Sequence, residues 1–282
     1  MARVLSTYRF VRHPLTPAVL EGLAHAEMSS VEIFCAPSHF NYRDAQAVRE
    51  LAGVLEHYGI ELHALHSPTE RATGTGREMA VSISNPERVR RVDAVDEVKR
   101  ALEVAERIPF RYLVQHLGTG RDTADPRKLD AAFSSLEHLA LFAKQRGVTI
   151  AIENTPNELG APASLRQFVR ETRLNELRFC FDIGHAHLGG GVEAGFDLLR
   201  ERVVTTHIHD NRGEKDEHLL PYEGTIDWDA ALGALAAAPE PLPLVLELKE
   251  QPSGRPALDE IRASFDKLER HFEEKGIRST PA

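Results

Sequence analysis

The chain has 282 residues, of which 42% are hydrophobic and 27% charged, a balance typical of one large globular domain or two ordinary ones. Its 43 acidic and 34 basic residues give a formal net charge of −9, which argues against extended nucleic-acid binding because that function usually needs a basic face. The N-terminus lacks the apolar core of a signal peptide and no run of 18 apolar residues occurs, so we expect a cytoplasmic protein without a membrane span.

Short apolar runs predict eight strands, and segments with apolar residues every three or four positions predict helices between and after them. Eight strand–helix units favour a single-domain (β/α)8 TIM barrel over residues 1–275, followed by a flexible tail over 276–282. A doubly wound open sheet is the competing architecture. The predicted strands are, in chain order, residues 4–8, 30–35, 61–66, 111–116, 148–153, 178–182, 203–209 and 244–247.

Capping residues and glycines agree with these boundaries. The pairs Thr16-Pro17, Asn85-Pro86 and Asp125-Pro126 each place a capping side chain before a proline, which is pre-set for the first helical turn. Gly59 and Gly147 follow helical segments and precede strands, as helix-ending glycines do. Two cysteines, Cys35 and Cys180, fall in separate predicted strands, where we expect buried free thiols.

Five of the predicted strands end in a side chain of a type that binds metals. In a barrel of this kind the carboxyl ends of the strands form the catalytic face, so these side chains are expected to form one ring. Gathering several carboxylates away from water is costly unless a cation neutralises them. We therefore predict a divalent metal site at the ends of these strands, with His116, Glu153, Asp182, His209 and Glu247 as candidates.

More candidates follow in the loops. His185 comes three residues after Asp182, Asp216 and His218 form an Asp-x-His pair, and His66 ends the third strand. With the strand endings these make nine candidates, more than one ion can use. Either several ions bind, or four residues hold one ion and the others contact substrate. The mixed nitrogen and oxygen ligands suit Mn²⁺, Mg²⁺, Co²⁺ or Zn²⁺ and do not choose among them.

The runs IENTP, CFDIGHAHL, HIHDN, EHLLPYEGTIDW and LVLELKE resemble the xylose isomerase-like barrel superfamily. That group contains sugar isomerases and epimerases, inosose dehydratases and DNA-repair enzymes of the endonuclease IV type. The resemblance implies one metal held by a four-residue set, with His185 contacting substrate. By position, that set is Glu153, Asp182, His209 and Glu247.

The same resemblance implies an alternative, the trinuclear zinc set of the endonuclease IV family. In that mapping His66, His116 and Glu153 bind one ion, Glu153, Asp182, His209 and Glu247 a second, and His185, Asp216 and His218 a third. The chain departs from the repair enzymes, which tend to carry a cysteine before the histidine that matches His185. It departs from the sugar branch at Tyr222, where glycine is usual.

The leading hypothesis from the sequence is a metal-dependent isomerase or epimerase that acts on a sugar, sugar phosphate or polyol through an enediolate. Glu153 would remove a proton from the metal-polarised substrate, Glu247 would return it, and His185 would hold a hydroxyl or alkoxide. A lyase or dehydratase using the same enediolate, a trinuclear-zinc phosphodiesterase and a non-catalytic partner subunit are the alternatives.

The remaining predictions concern substrate contacts and assembly. The long loop over residues 67–84 carries Arg71 and Arg77, which are candidates for binding a phosphate or carboxylate group of the substrate. His207 shares the inward side of its strand with His209, and we expect it to have a supporting or core role. The partner is expected to be a small sugar or sugar phosphate, and the sequence leaves the oligomeric state open, with a homo-oligomer among the alternatives.

Overall fold

The computed structural model describes residues 1–72, 78–120 and 122–275, and it confirms the (β/α)8 barrel. The strands are β1 Arg3–Ser6, β2 Ser30–Phe34, β3 Glu61–His66, β4 Glu70–Ala72, β5 Glu78–Ala80, β6 Tyr112–Gln115, β7 Thr149–Glu153, β8 Arg178–Asp182, β9 Val203–His207 and β10 Leu244–Leu246. Within the described residues, eight parallel strands run in the order β10-β1-β2-β3-β6-β7-β8-β9, and a bridge between Ile208 and Leu246 brings the two edge strands together. The antiparallel pair β4–β5 lies after the third barrel strand.

Helices follow or connect the strands and cover the outside of the barrel. They are α1 Pro17–His25, α2 Ala45–Tyr58, α3 Arg88–Glu103, α4 Pro126–Lys144, α5 Pro162–Thr172, α6 Ile183–Leu188, α7 Val192–Leu199, α8 Trp228–Ala236 and α9 Leu258–Glu274. In α9, for example, Ile261, Phe265, Leu268 and Phe272 are fully buried at the spacing of one helix face. None of the described helices is both long enough and apolar enough to cross a membrane.

Several predicted boundaries shift by one or two residues. The first strand ends at Ser6, whose side chain accepts a hydrogen bond from the Tyr8 amide and starts a short 3-10 helix over Thr7–Phe10. The third helix begins at Arg88, two residues after the proline that was expected to start it. Gly59 ends α2 in the left-handed conformation, with φ of 64°, as predicted. The predicted tail, residues 276–282, lies outside the described residues.

Side chains alternate along each strand, so every second residue points into the barrel. A small cluster of Val114, Ala151 and Cys180 packs apart from the main core. Because Ala151 and Cys180 lie two residues before Glu153 and Asp182, the inward face of β7 and β8 changes from small and apolar to acidic at the strand ends. Both cysteines are buried free thiols, as predicted.

Candidate metal centre at the barrel mouth

Within the part of the chain that the structure describes, ten side chains with metal-ligating atoms meet at the carboxyl ends of the barrel strands. They form three groups, and in each group one ligand atom per residue lies within 4.8 Å of the others. We refer to them as the first group (His66, His116, Glu153), the central group (Glu153, Asp182, His207, Glu247) and the third group (His185, His209, Asp216, His218). The structure thus brings together all nine residues that the sequence singled out, and adds His207.

Glu153 joins the first group to the central group. Its Oε2 atom lies 2.9 Å from His116 Nε2 and 3.3 Å from His66 Nε2. Its Oε1 atom lies 3.2 Å from both His207 Nδ1 and His185 Nδ1. Each oxygen of this single carboxylate therefore faces a different set of imidazoles, which is the arrangement expected of a carboxylate shared between two cations.

The central group is the most buried part of the site. Glu153, Asp182 and Glu247 are 1%, 0% and 3% exposed, and His207 is completely buried. The Nδ1 atom of His207 lies 3.6 Å from Glu247 Oε2 and 3.8 Å from Asp182 Oδ2. Grouping by distance puts His207 with the three carboxylates, whereas the sequence reasoning had put His209 there and given His207 a supporting role.

His209 lies instead in the third group. Its ring stacks on that of His218 with centroids 3.9 Å apart, and its Nε2 atom is 3.1 Å from Asp182 Oδ2 and 3.8 Å from Asp216 Oδ1. Gly184 makes room for this ring, because a Cβ atom at that position would lie 2.0 Å from His209 Cε1. His209 therefore borders both the central and the third group.

The third group depends on a loop that Asp210 holds in place. This buried carboxylate accepts hydrogen bonds from the Trp228 indole at 2.9 Å and from the backbone amides of Asn211, Tyr222 and Ile226. The resulting fold of residues 210–228 presents Asp216 and His218 to the barrel mouth, where Asp216 Oδ2 lies 2.9 Å from His218 Nε2 and 3.3 Å from His185 Nε2.

Tyr222, which stands where glycine is usual in the sugar branch, adopts a backbone conformation typical of glycine. Its φ of 73° lies in the left-handed region, which is unfavourable for a tyrosine. Its hydroxyl lies 3.0 Å from His271 Nδ1, its ring contacts Trp228 at 5.1 Å, and Lys267 lies over it. These contacts stabilise the strained backbone at Tyr222. The tyrosine is therefore accommodated in the loop over residues 210–228 although glycine is usual at this position.

Neighbouring imidazoles keep two carboxylates of the site, Glu153 and Asp182, ionised. Burial alone would raise the pKa of Glu153, but the imidazoles of His207 and His116 outweigh it and hold that pKa well below its usual range. Burial would also raise the pKa of Asp182, but the imidazoles of His185 and His209 outweigh it and lower that pKa. Ionised carboxylates are the form that a cation requires.

Two observations test whether these residues fit a metal. Among the described residues, the Nδ1 atom of His207 is buried without a hydrogen-bond partner, although it points towards three carboxylates. A buried polar atom without a partner is costly, and a bound cation would remove that cost. The set of six imidazoles and four carboxylates is also suited to transition metals. The residues therefore fit one or more divalent ions.

The groups open into a cavity of about 540 Å³. Tyr8 and Phe34 line it on the side of the first two strands, and Arg12 and Arg71 also line it. Arg71 is additionally paired with Asp93 at 2.7 Å. Arg77, the other arginine suggested by the sequence, lies outside the described residues. A volume of this size is in the range of small-molecule sites.

Sequence reasoning missed one further participant, Glu32 on β2. It is completely buried, and both of its oxygens lie 3.1 Å from His207 Nε2. Ser6 donates a hydrogen bond to the same carboxylate at 3.0 Å. A single acid inside the apolar run SVEIF was the available signal, because an unpaired acid in the middle of a buried strand needs a partner.

Fold and site together define a TIM barrel with a ring of histidines and carboxylates at its catalytic face. The family described as "Xylose isomerase-like TIM barrel" matches residues 20–272. The chain belongs to that family, as the resemblance in its strand-end motifs implied.

Two relatives, one named without a function and one named as an endonuclease, are similar to this chain over most of its length. "Uncharacterized protein MJ1311" of Methanocaldococcus jannaschii is 28% identical over 241 residues, which cover 82% of this chain and 78% of that protein. "Probable endonuclease 4" of Haloarcula marismortui is 26% identical over 224 residues, which cover 72% of this chain and 75% of that protein.

Solved structures share the fold. A D-tagatose 3-epimerase-like protein superposes with a TM-score of 0.78 at 23% identity and covers 98% of both chains. The IOLI protein, whose crystal structure has a bound zinc atom, gives a TM-score of 0.76 at 17% identity and covers 99% of this chain and 100% of its own. At these identities the likeness establishes the fold alone.

Proposed function

We propose that this protein is a metal-dependent hydrolase of phosphate esters whose site takes up to three divalent ions. The observation that carries the proposal is the position of Glu153, whose two oxygens face the first group and the central group separately. A single-ion site has no need of a shared carboxylate. Imidazole-rich ligand sets favour Zn²⁺ over Mg²⁺, so zinc is the proposed ion.

The surroundings of Glu153 also argue against its use as a proton-transferring base. A general base must come within hydrogen-bonding distance of the proton that it removes. Glu153 is 1% exposed, and four imidazole nitrogens lie within 3.3 Å of its two oxygens. The carboxylate is therefore better placed to hold cations than to exchange protons with a substrate, which weakens the two-base isomerase scheme.

In the proposed enzyme, different residues of the chain would bind the ions and attract the substrate. Divalent ions in the three groups would supply Lewis acidity and neutralise the charge of a phosphoryl group. His66, His116, Glu153 and Glu247 line the cavity from the first and central groups, and His185, Asp216 and His218 line it from the third. Arg12 and Arg71, which also line the cavity, would attract an anionic ester.

A small phosphate ester is the proposed substrate class. The cavity of about 540 Å³ fits a small molecule, and the net charge of −9 opposes a long polyanion. Relatives named as probable endonuclease 4 nevertheless make duplex DNA with an abasic site a necessary comparison in the assay.

An isomerase or epimerase, or a lyase using the same enediolate, is the second candidate. The observation in its favour is that Glu153 and Glu247 both line the cavity and both belong to the central group. One ion in the central group would then polarise a sugar between two carboxylates.

Ion content and turnover distinguish the candidates. The purified protein, loaded with zinc or with manganese and freed of excess ion, is analysed for metal per chain. It is then assayed with p-nitrophenyl phosphate, bis-p-nitrophenyl phosphate, an abasic-site duplex and a set of ketoses. About three zinc ions per chain with ester hydrolysis supports the proposal. One exchangeable ion with ketose isomerisation and no ester hydrolysis would overturn it in favour of the second candidate.

A further inference from the structure

His207 is held between two sets of carboxylates, one on each side of its ring. On one side, Nε2 lies 3.1 Å from both oxygens of Glu32. On the other side, Nδ1 faces Glu153, Asp182 and Glu247 at 3.2, 3.8 and 3.6 Å without a hydrogen bond to any of them. Only one of the two nitrogens is thus used in a hydrogen bond.

Glu32 reaches His207 through the interior of the barrel. It lies on β2, while His207 ends β9, and three strand boundaries separate these strands around the ring, through β10 and β1. The carboxylate is 0% exposed and is fixed from the side of β1 by the Ser6 hydroxyl at 3.0 Å. Burying an acid here is costly, and its described hydrogen bonds are those with His207 and Ser6.

This geometry fixes the tautomer of His207. Ionised Glu32 can only accept hydrogen bonds, so the proton of a neutral His207 resides on Nε2 and the lone pair on Nδ1. That lone pair then points at three carboxylates, where a bound cation would take it as a ligand. Histidines that bind metals commonly donate their other N–H to a carboxylate in this way.

From this geometry we infer that Glu32 is a positioning residue for the metal centre: it orients His207 and sets the affinity of the central group for its ion. Glu32 touches none of the other residues of the three groups in the described hydrogen bonds, so it acts through His207. The inference rests on metal binding by the central group, which is part of the proposed function, and not on the reaction that follows.

The test compares Glu32→Gln with Glu97→Gln in the zinc-loaded protein. Glu97, on α3, is also a buried acid at 1% exposure, bonded to Tyr42 and Arg43, and it belongs to none of the three groups. Ion affinities are measured by competition with a chromophoric chelator, and cobalt-loaded samples report the ligand field by visible absorption.

We expect Glu32→Gln to weaken one ion by about 10- to 100-fold and to change the cobalt spectrum, because the neutral amide orients the ring less strongly and adds no negative charge. Glu97→Gln should change neither, whatever it does to stability. Equal ion affinities and an unchanged spectrum in Glu32→Gln would overturn the inference. A wild-type protein that binds no ion refutes the proposed function itself, which keeps the two failures distinct.

A measurement on the wild-type protein covers the case in which Glu32→Gln fails to fold. Long-range ¹H–¹⁵N spectra of the histidine side chains in the zinc-loaded protein report which ring nitrogen carries the proton. We expect the His207 signal to show a protonated Nε2 and an unprotonated Nδ1. The opposite tautomer would contradict the assigned role of Glu32.

Discussion

His116 Nε2 lies 2.9 Å from Glu153 Oε2, while the other oxygen of the same carboxylate faces His207 and the central group. We therefore expect Glu153→Gln to lose about two ions per chain, because an amide cannot hold two cations as a carboxylate does. Glu247→Gln should weaken only the central ion. Metal analysis after dialysis checks this. If Glu153→Gln kept its full ion content and lost only turnover, Glu153 would be a base and not a shared ligand.

Removing the metal should destabilise the fold, because it leaves ionised carboxylates and imidazoles buried together. A ligand present at about 100 times its Kd stabilises a protein by about 2.7 kcal/mol. For a protein of this size, that corresponds to a fall in Tm of about 5 °C on chelation of one ion. Calorimetry with and without chelator measures it, and re-addition of zinc is the control. An unchanged Tm would mean that the groups hold no ion in the native state.

His207 and His209 should affect different ions. His207→Gln is expected to remove the ion of the central group, whereas His209→Asn should weaken mainly that of the third group, because the His209 ring stacks on His218. His187→Ala is a matched control, since His187 bonds Thr225 and belongs to none of the groups. Cobalt spectra of the three variants distinguish the sites. The loss of the central ion in His209→Asn would restore the assignment made from the sequence.

Asp210 is expected to be important for stability and for the third group together. Asp210→Ala leaves the Trp228 indole and several buried amides without an acceptor, and each such group costs about 1–3 kcal/mol. Because four donors lose their acceptor, we expect a loss of at least about 4 kcal/mol in the free energy of unfolding, measured with urea. Trp228→Phe removes one of these bonds and should cost less. A full complement of ions in Asp210→Ala would show that the loop forms without its anchor.

The buried His39 should make stability dependent on pH. Burial lowers its pKa, and the ring lies 2.6 Å from the His13 carbonyl and 2.9 Å from the Thr7 hydroxyl. In the unfolded chain His39 takes up a proton near the ordinary histidine pKa of about 6.5, whereas in the folded chain it does so only at lower pH. The unfolded state therefore binds more protons below that pKa, and the free energy of unfolding falls as the pH drops. Urea unfolding at several pH values should show a shallower dependence for His39→Gln. Parallel curves for the two proteins would exclude this contribution.

The strand ends could be predicted because two local signals coincide there. Apolar runs mark the strands, and the polar residue that ends each run marks the catalytic face. The choice between His207 and His209 could not be made in this way. Alternation predicts the same inward side for both, whereas in the structure β9 ends at His207, and the pairing of β8 with β9 sets His207 opposite Asp182.

Glu32 and the path of the loop over residues 210–228 were harder to foresee for a different reason. Glu32 meets its partner through the barrel interior, a contact at a separation of 175 residues that no local pattern encodes. The loop takes its shape from one carboxylate, Asp210, that gathers donors from four later positions. Long-range hydrogen bonds of this kind depend on the closed barrel and become visible only with it.

The anchoring of this loop by Asp210 has a consequence for how the family can diversify. Both ends of the segment are fixed by hydrogen bonds to Asp210, whereas Arg212 to Lys215 are exposed. They lie just before Asp216 and His218, two candidate ligands of the third group. Changes in these four positions can reshape the rim of the cavity at little cost to the barrel. Natural variation in substrate choice, and attempts to redirect it by directed evolution, should therefore concentrate in this segment.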